Sequence, residues 1–238
     1  MPSLLSKILR LFLFSLTSLT PSSLYAASSQ PPLAPFYARL QTLSAKGALG
    51  QIIRKERVAT HIPDAEAWRI AYVSSDILDR KTLSTAILVT PTRKAPKEGR
   101  PIIAWAHGTT GTAQNCGPSQ VIDPAKALNQ YFMTNGDSWT DYGLPAVERF
   151  IQEGYVVVAT DYQGLGAGGP HQYAIATTQA RDVINSIRAA GALGVSGTNK
   201  KAVIYGWSQG GGATLSASGQ ADYIAQKGTA FDGIELVG

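Results

Sequence analysis

The run Gly206-Trp207-Ser208-Gln209-Gly210 has the spacing that can turn a serine into a nucleophile. A serine hydroxyl attacks an acyl carbon only when a base takes its proton and the backbone holds it clear of its neighbours. A G-x-S-x-G run meets the second need when a strand enters it and a helix leaves it. The sharp turn lifts the hydroxyl, and the glycines two residues before and after it avoid a collision. A five-residue string alone is weak evidence. Here the apolar run 202–205 stands directly before it, and the small residues Gly211, Gly212 and Ala213 begin a helical pattern after it. The competing reading, a glycine-rich turn with an incidental serine, does not account for that setting.

Two other stretches carry residues that could do chemistry. His107-Gly108-Thr109 follows the apolar run 101–106. Such a turn can aim backbone N–H groups at a developing alkoxide. One donor is then the N–H of Gln209, the residue after the serine, and the other comes from this loop, with Thr109 as first choice. On this reading His107 braces the loop by hydrogen bonds. Gly164, Gly166 and Gly169 spell G-x-G-x-x-G after the apolar run 155–160, which is the rival from another function class, a dinucleotide-binding oxidoreductase module. That fingerprint needs a helix opening on its last glycine and an acid ending the next strand. Pro170 and His171 follow instead, the helical pattern starts near Thr177, and the next strand ends in Gly206. The loop reads better as the rim of a site, with His171 and Tyr173 as residues that could line it. Trp105, Trp139, Tyr142 and Trp207 could line an acyl pocket, with core packing the better reading for Trp105.

These motifs need a frame. Residues 51–58, 68–75 and 83–90 alternate as strands do, with a turn at Asp79-Arg80. Residues 28–50, rich in Ser, Pro and Ala, read as an extended arm. From residue 101 the pattern changes to short continuous apolar runs at 101–106, 155–160 and 202–205, as strands buried on both faces require. Helical spacing covers 144–153, ended by Gly154, and then 177–190 and 210–226; a last strand starts at Ile234. Antiparallel strands followed by alternating strands and helices predict an α/β fold: a mostly parallel sheet with an antiparallel N-terminal meander and helices on both faces.

Composition narrows the function class. The chain has 238 residues, 44% of them hydrophobic and 16% charged, which is a globular balance. The net charge is +5, and no Lys/Arg cluster interleaves with aromatics, so nucleic-acid binding has no support. Residues 1–27 read as a secretory signal peptide: Lys7 and Arg10 form the basic start, 11–19 the apolar run, and Ala26 the last residue before cleavage. The alternative is an uncleaved anchor, but the run is short for a stable span. Export to the periplasm or the medium is the expectation. The single cysteine, Cys116, is then odd; it is a buried thiol, part of an intermolecular bond, or the partner of a cysteine in a following C-terminal region.

The layout and the elbow are those of an α/β-hydrolase. Several stretches, residues 104–111, 154–166, 169–173 and 205–213, with a weaker match over 72–90, resemble the secretory lipases of the lipase A type. The resemblance implies hydrolysis of lipid or other esters without a cofactor, through an acyl-enzyme on Ser208. It also implies an order in which the acid and then the histidine of the triad follow the serine. After Ser208 the chain holds Asp222, Asp232 and Glu235 but no histidine; His61, His107 and His171 all precede it. The expectation is therefore that residues 51–238 form an incomplete core, with the triad acid, the histidine and the cap beyond residue 238. The alternative is a catalytically inactive fragment.

Overall fold

A computed structural model describes residues 33–121, 123–128 and 143–238. The signal-peptide segment, Trp139 and Tyr142 lie outside the described residues. Strands β1 (Ile52–Val58), β2 (Ala65–Ser75) and β3 (Lys81–Pro91) form the expected antiparallel meander. The turn between β2 and β3 places Asp79 at a positive φ of 58°. Strands β4 (Ile102–Ala106), β5 (Val156–Thr160), β6 (Lys201–Gly206) and β7 (Glu235–Leu236) pair in parallel, and the sheet runs in the order β1-β2-β3-β5-β4-β6-β7. β3 joins the two halves by lying antiparallel to β5.

Side-chain alternation sorts the sheet into two cores. Ile70, Tyr72, Leu88, Ile102, Ala104, Val156, Val158, Ala202 and Ile204 face one core, shared with the helices on that side. Their neighbours Ala67, Ile87, Val89, Ile103, Trp105, Val157 and Ala159 face the other. Both faces are covered, so the central strands are continuous apolar runs and not alternating ones.

The helices account for most of that covering. After α1 (Pro35–Ala38), α2 (Val147–Glu153) lies on the Trp105 side and ends at Gly154, which takes a φ of 97° that L side chains rarely adopt. α3 (Ala176–Ala192) and α4 (Gln209–Ser218) pack on the other face. Two expectations need correction. Residues 33–50 are not simply an extended arm: α1 forms there, and Phe36 and Tyr37 of that helix and Leu40 after it are buried. These apolar side chains draw the segment into the domain. Nor is 210–226 one helix. It breaks at Gly219 and Gln220 into α4 and a short α5 (Ala221–Ile224). Glycine has a high conformational entropy cost in a helix and ends one readily. Among the described residues no helix is long and apolar enough to cross a membrane.

Candidate active site

β6 delivers Ser208 to the sheet edge where β2, β4 and β5 also end. Register does part of the work: Ala106 pairs with Gly206, and the Trp207 N–H reaches the Ala106 carbonyl at 3.2 Å. The chain then turns within one residue. Ser208 stands at φ 52° and ψ −117°, and α4 begins at Gln209. For a residue with a Cβ this is a sparsely populated conformation, worth about 1–3 kcal/mol of strain. Ser208 is exposed at the top of the turn.

The flanking glycines are sterically required. A Cβ on Gly206 would lie 2.4 Å from the Gly210 carbonyl oxygen, and one on Gly210 would lie 1.8 Å from the Ala106 carbonyl oxygen. Both neighbours are backbone and have no way to rotate aside. Gly212, two residues further on, has nothing within 4 Å.

The loop after β4 closes on the elbow. His107 is buried, with Nδ1 2.6 Å from the Gly108 carbonyl oxygen and Nε2 3.4 Å from that of Asp161. Burial pushes the imidazole down to about 4, so the ring is neutral at physiological pH. The shorter contact puts the single proton on Nδ1. The His107 carbonyl oxygen accepts from the Tyr162 hydroxyl at 2.9 Å, and the two rings lie tilted with centroids 4.5 Å apart. His107 thus sits as a brace for the loop. Thr109, two residues on, donates from Oγ1 to Gln209 Oε1 at 3.3 Å. The two residues expected to supply oxyanion N–H groups therefore touch through their side chains.

His171 reaches the same place from the loop after β5. Its Nδ1 donates to the Gln163 carbonyl oxygen at 2.8 Å, and its Nε2 lies 3.3 Å from Gln209 Nε2. His61 is on the turn between β1 and β2, at the opposite edge of the sheet, exposed and 4.0 Å from Asp123. Among the described residues no histidine is hydrogen-bonded to Ser208. The acids after Ser208 are equally remote from that role. Asp222 opens α5, Glu235 is exposed in β7, and Asp232 closes its own loop by accepting from Gly228 and Thr229. Among the described residues no group of His, Cys, Asp and Glu could hold a metal.

The turn after β5 was legible only in outline. Tyr162 adopts a φ of 69°, and two buried carboxylates clamp its neighbours. Asp161 accepts from Thr85 Oγ1 at 2.5 Å and from the Ser119 N–H at 2.8 Å, and also from the Ser119 hydroxyl. Burial still pushes it up to about 6. Asp182, from α3, accepts the Gln163 N–H at 2.8 Å through Oδ2. Burial raises it to about 7. An aspartate after a buried strand was visible in the sequence; Ser119 and Asp182 gave no local signal, because they meet this turn only in three dimensions.

Asp182 and His107 act on stability in opposite directions. Between the ordinary carboxylate range and about 7, folded Asp182 keeps a proton that the unfolded chain has released. Its share of stability is present in acid and lost as pH rises through that window. Folded His107 gives up its proton near 4, below its ordinary value of 6.5, so its share is gained as pH rises across that interval. Asp182→Asn should remove the first effect. Urea unfolding should show the variant gaining on the parent by on the order of 2 kcal/mol between about pH 5 and pH 8. A constant difference across that range would mean that Asp182 is ionised throughout.

The glycines of the rival fingerprint lie in this loop. Gly164, Gly166 and Gly169 take φ of 81°, 128° and 76°, and the next helix starts only at Ala176. A Cβ at Gly164 would strike the backbone of Pro170 and His171, so the loop folds on itself where a pyrophosphate would have to sit. NAD and NADP should show no heat of binding by calorimetry; low-micromolar binding lost on Gly166→Ala would reinstate the oxidoreductase reading. Trp105 is a core residue, packed 4.8 Å from Tyr205, whereas Trp207 beside the serine is partly exposed. Cys116 is a free, half-buried thiol, its Sγ close beneath Gly111.

A strained serine between a parallel strand and a helix, on a sheet of this order, defines an α/β-hydrolase core. The solved structures that it resembles agree. Candida antarctica lipase A in its closed state superposes with a TM-score of 0.61 at 24% identity, over 79% of this chain and 42% of that one. A ligand-bound form of the rice cell wall degrading esterase LipA from Xanthomonas oryzae gives 0.54 at 19% identity, over 77% of this chain and 49% of that one. The chain thus spans less than half the length of these relatives. The family model described as secretory lipase matches residues 134–227. No curated protein matches the sequence.

Proposed function

We propose that the chain is the nucleophile-bearing part of an exported serine ester hydrolase of the lipase or esterase type. Ser208 Oγ attacks the carbonyl carbon of a lipid or other carboxylic ester while a base takes its proton. The alkoxide that forms is held by the N–H groups of Gln209 and Thr109. Collapse expels the alcohol, which takes up that proton, and leaves an acyl-enzyme on Ser208; water then releases the acid by the same steps. The acid and the histidine that supply the base are assigned to sequence following residue 238, in a longer polypeptide. Residues 1–27 are assigned as its signal peptide, and a cysteine in that following sequence is the proposed partner of Cys116. No cofactor enters the reaction.

The observation that carries this reading is the backbone of Ser208. Its φ of 52° and ψ of −117° represent strain with no packing purpose, since the side chain is exposed. Strain kept at an exposed serine is what a held nucleophile needs. The relatives add weight: one is titled a lipase and the other an esterase. The test is turnover of p-nitrophenyl esters by the polypeptide extended past Gly238. The expected result is hydrolysis lowered about 10⁶-fold by Ser208→Ala. Hydrolysis that survives the substitution would remove Ser208 from the mechanism.

A further inference from the structure

The side chains of Tyr173, Thr109, Gln209 and His171 form a hydrogen-bonded line beside the elbow, and its polarity can be read from one end. The Gln163 carbonyl oxygen can only accept, so the His171 proton is on Nδ1 (2.8 Å). Nε2 of the neutral ring then accepts, and the Gln209 group facing it at 3.3 Å is the NH2. That leaves Gln209 Oε1 to receive the Thr109 hydroxyl at 3.3 Å. The Thr109 oxygen in turn accepts from the Tyr173 hydroxyl at 3.2 Å. Burial lowers the His171 imidazole, which favours the neutral ring in this role. Residue 163 is itself fixed, because its N–H is held by the buried Asp182.

The geometry points to His171 as a positioning residue of the oxyanion site: by orienting the Gln209 carboxamide it ties the elbow to the Thr109 loop. This rests on the reading of Ser208 as nucleophile. The backbone N–H groups of Gln209 and Thr109 belong to separate loops, one leaving β6 and one leaving β4. Direct hydrogen bonds between their side chains set how far apart the two donors stand. Without an acceptor at Nε2 the carboxamide has no preferred face, and Thr109 loses an oriented partner. The donors remain, but their spacing relaxes. Loss of an oxyanion donor costs about 10²–10³ in rate, so loosening of the pair should cost less, about tenfold.

Two measurements test this. In the 238-residue chain, long-range proton–nitrogen NMR should find His171 as the Nδ1–H tautomer, and the Gln209 side-chain NH2 signals should move on His171→Phe. The opposite tautomer, or an unmoved Gln209 carboxamide, overturns the proposal whatever Ser208 does. In the extended polypeptide, His171→Phe should lower kcat about tenfold with KM little changed. His171→Gln, which can return an acceptor near the place of Nε2, should restore most of it. An equal loss in both variants, or a change confined to KM, overturns the positioning role. Fluorophosphonate labelling of Ser208 in the His171→Phe protein separates the two ideas: retained labelling leaves the nucleophile standing, and a parent protein without labelling at Ser208 removes both.

Discussion

Gly210→Ala should unseat the elbow, while Gly212→Ala, two residues along the same helix, should stabilise the fold. The new methyl at 210 would lie 1.8 Å from the Ala106 carbonyl oxygen and 2.7 Å from that of His107, so the end of β4 or the start of α4 must move. Overpacking typically costs about 1–3 kcal/mol even where side chains can yield. Against fixed backbone the loss should be about 3 kcal/mol or more, which for a domain of this size is a fall in Tm of roughly 6–12 °C. The Ala106–His107 segment that must shift also carries the Thr109 loop, so any activity of the site should go with it. At Gly212 a Cβ meets nothing within 4 Å, and the residue is helical. Alanine there should gain about 0.5–1 kcal/mol. Calorimetric melts of the two variants measure the contrast; similar Tm shifts in both would mean that the close approach of α4 to β4 is absent.

The second large effect concerns the base. Residues 1–238 alone should hydrolyse p-nitrophenyl esters no faster than the roughly 10³–10⁴-fold over water that remains to a site without a complete triad. The reason is geometric. His61 lies at the wrong edge of the sheet. His107 is buried, and both its nitrogens face carbonyl oxygens. His171 offers Nε2 to Gln209. None is placed to take the Ser208 proton. Turnover near an ordinary kcat of ~10 s⁻¹, lost on Ser208→Ala, would mean that one of the three serves as the base. His171 would be the first to replace, and both the chain-order reading and the positioning role would then fail.

The parts of the fold set by local pattern were readable from sequence. The buried runs of β4, β5 and β6 are continuous because both faces of the sheet are covered, and the elbow announced itself by two glycines with a strand before them. The sequence reading named Thr109 and Gln209 as donors to one site, but the bond between their side chains follows from the pairing of β4 with β6, which local pattern does not give. What stayed hidden was set by contacts distant in sequence. Tyr37 is buried in an apolar cluster with its hydroxyl bonded to Ser119, 82 residues away, and the arm's own sequence shows neither contact. The bond from Gln209 to His171 spans 38 residues and depends on a loop whose glycines gave no direction. The break at Gly219 was masked by the helix formers on either side of it.

The most direct test of the central claim is site-resolved. The polypeptide extended past Gly238 is treated with a fluorophosphonate and digested, and the modified peptide is sequenced by mass spectrometry. The account predicts a single stoichiometric adduct on Ser208 that is absent from the Ser208→Ala protein. An adduct on another serine, or labelling that persists after the substitution, would contradict it.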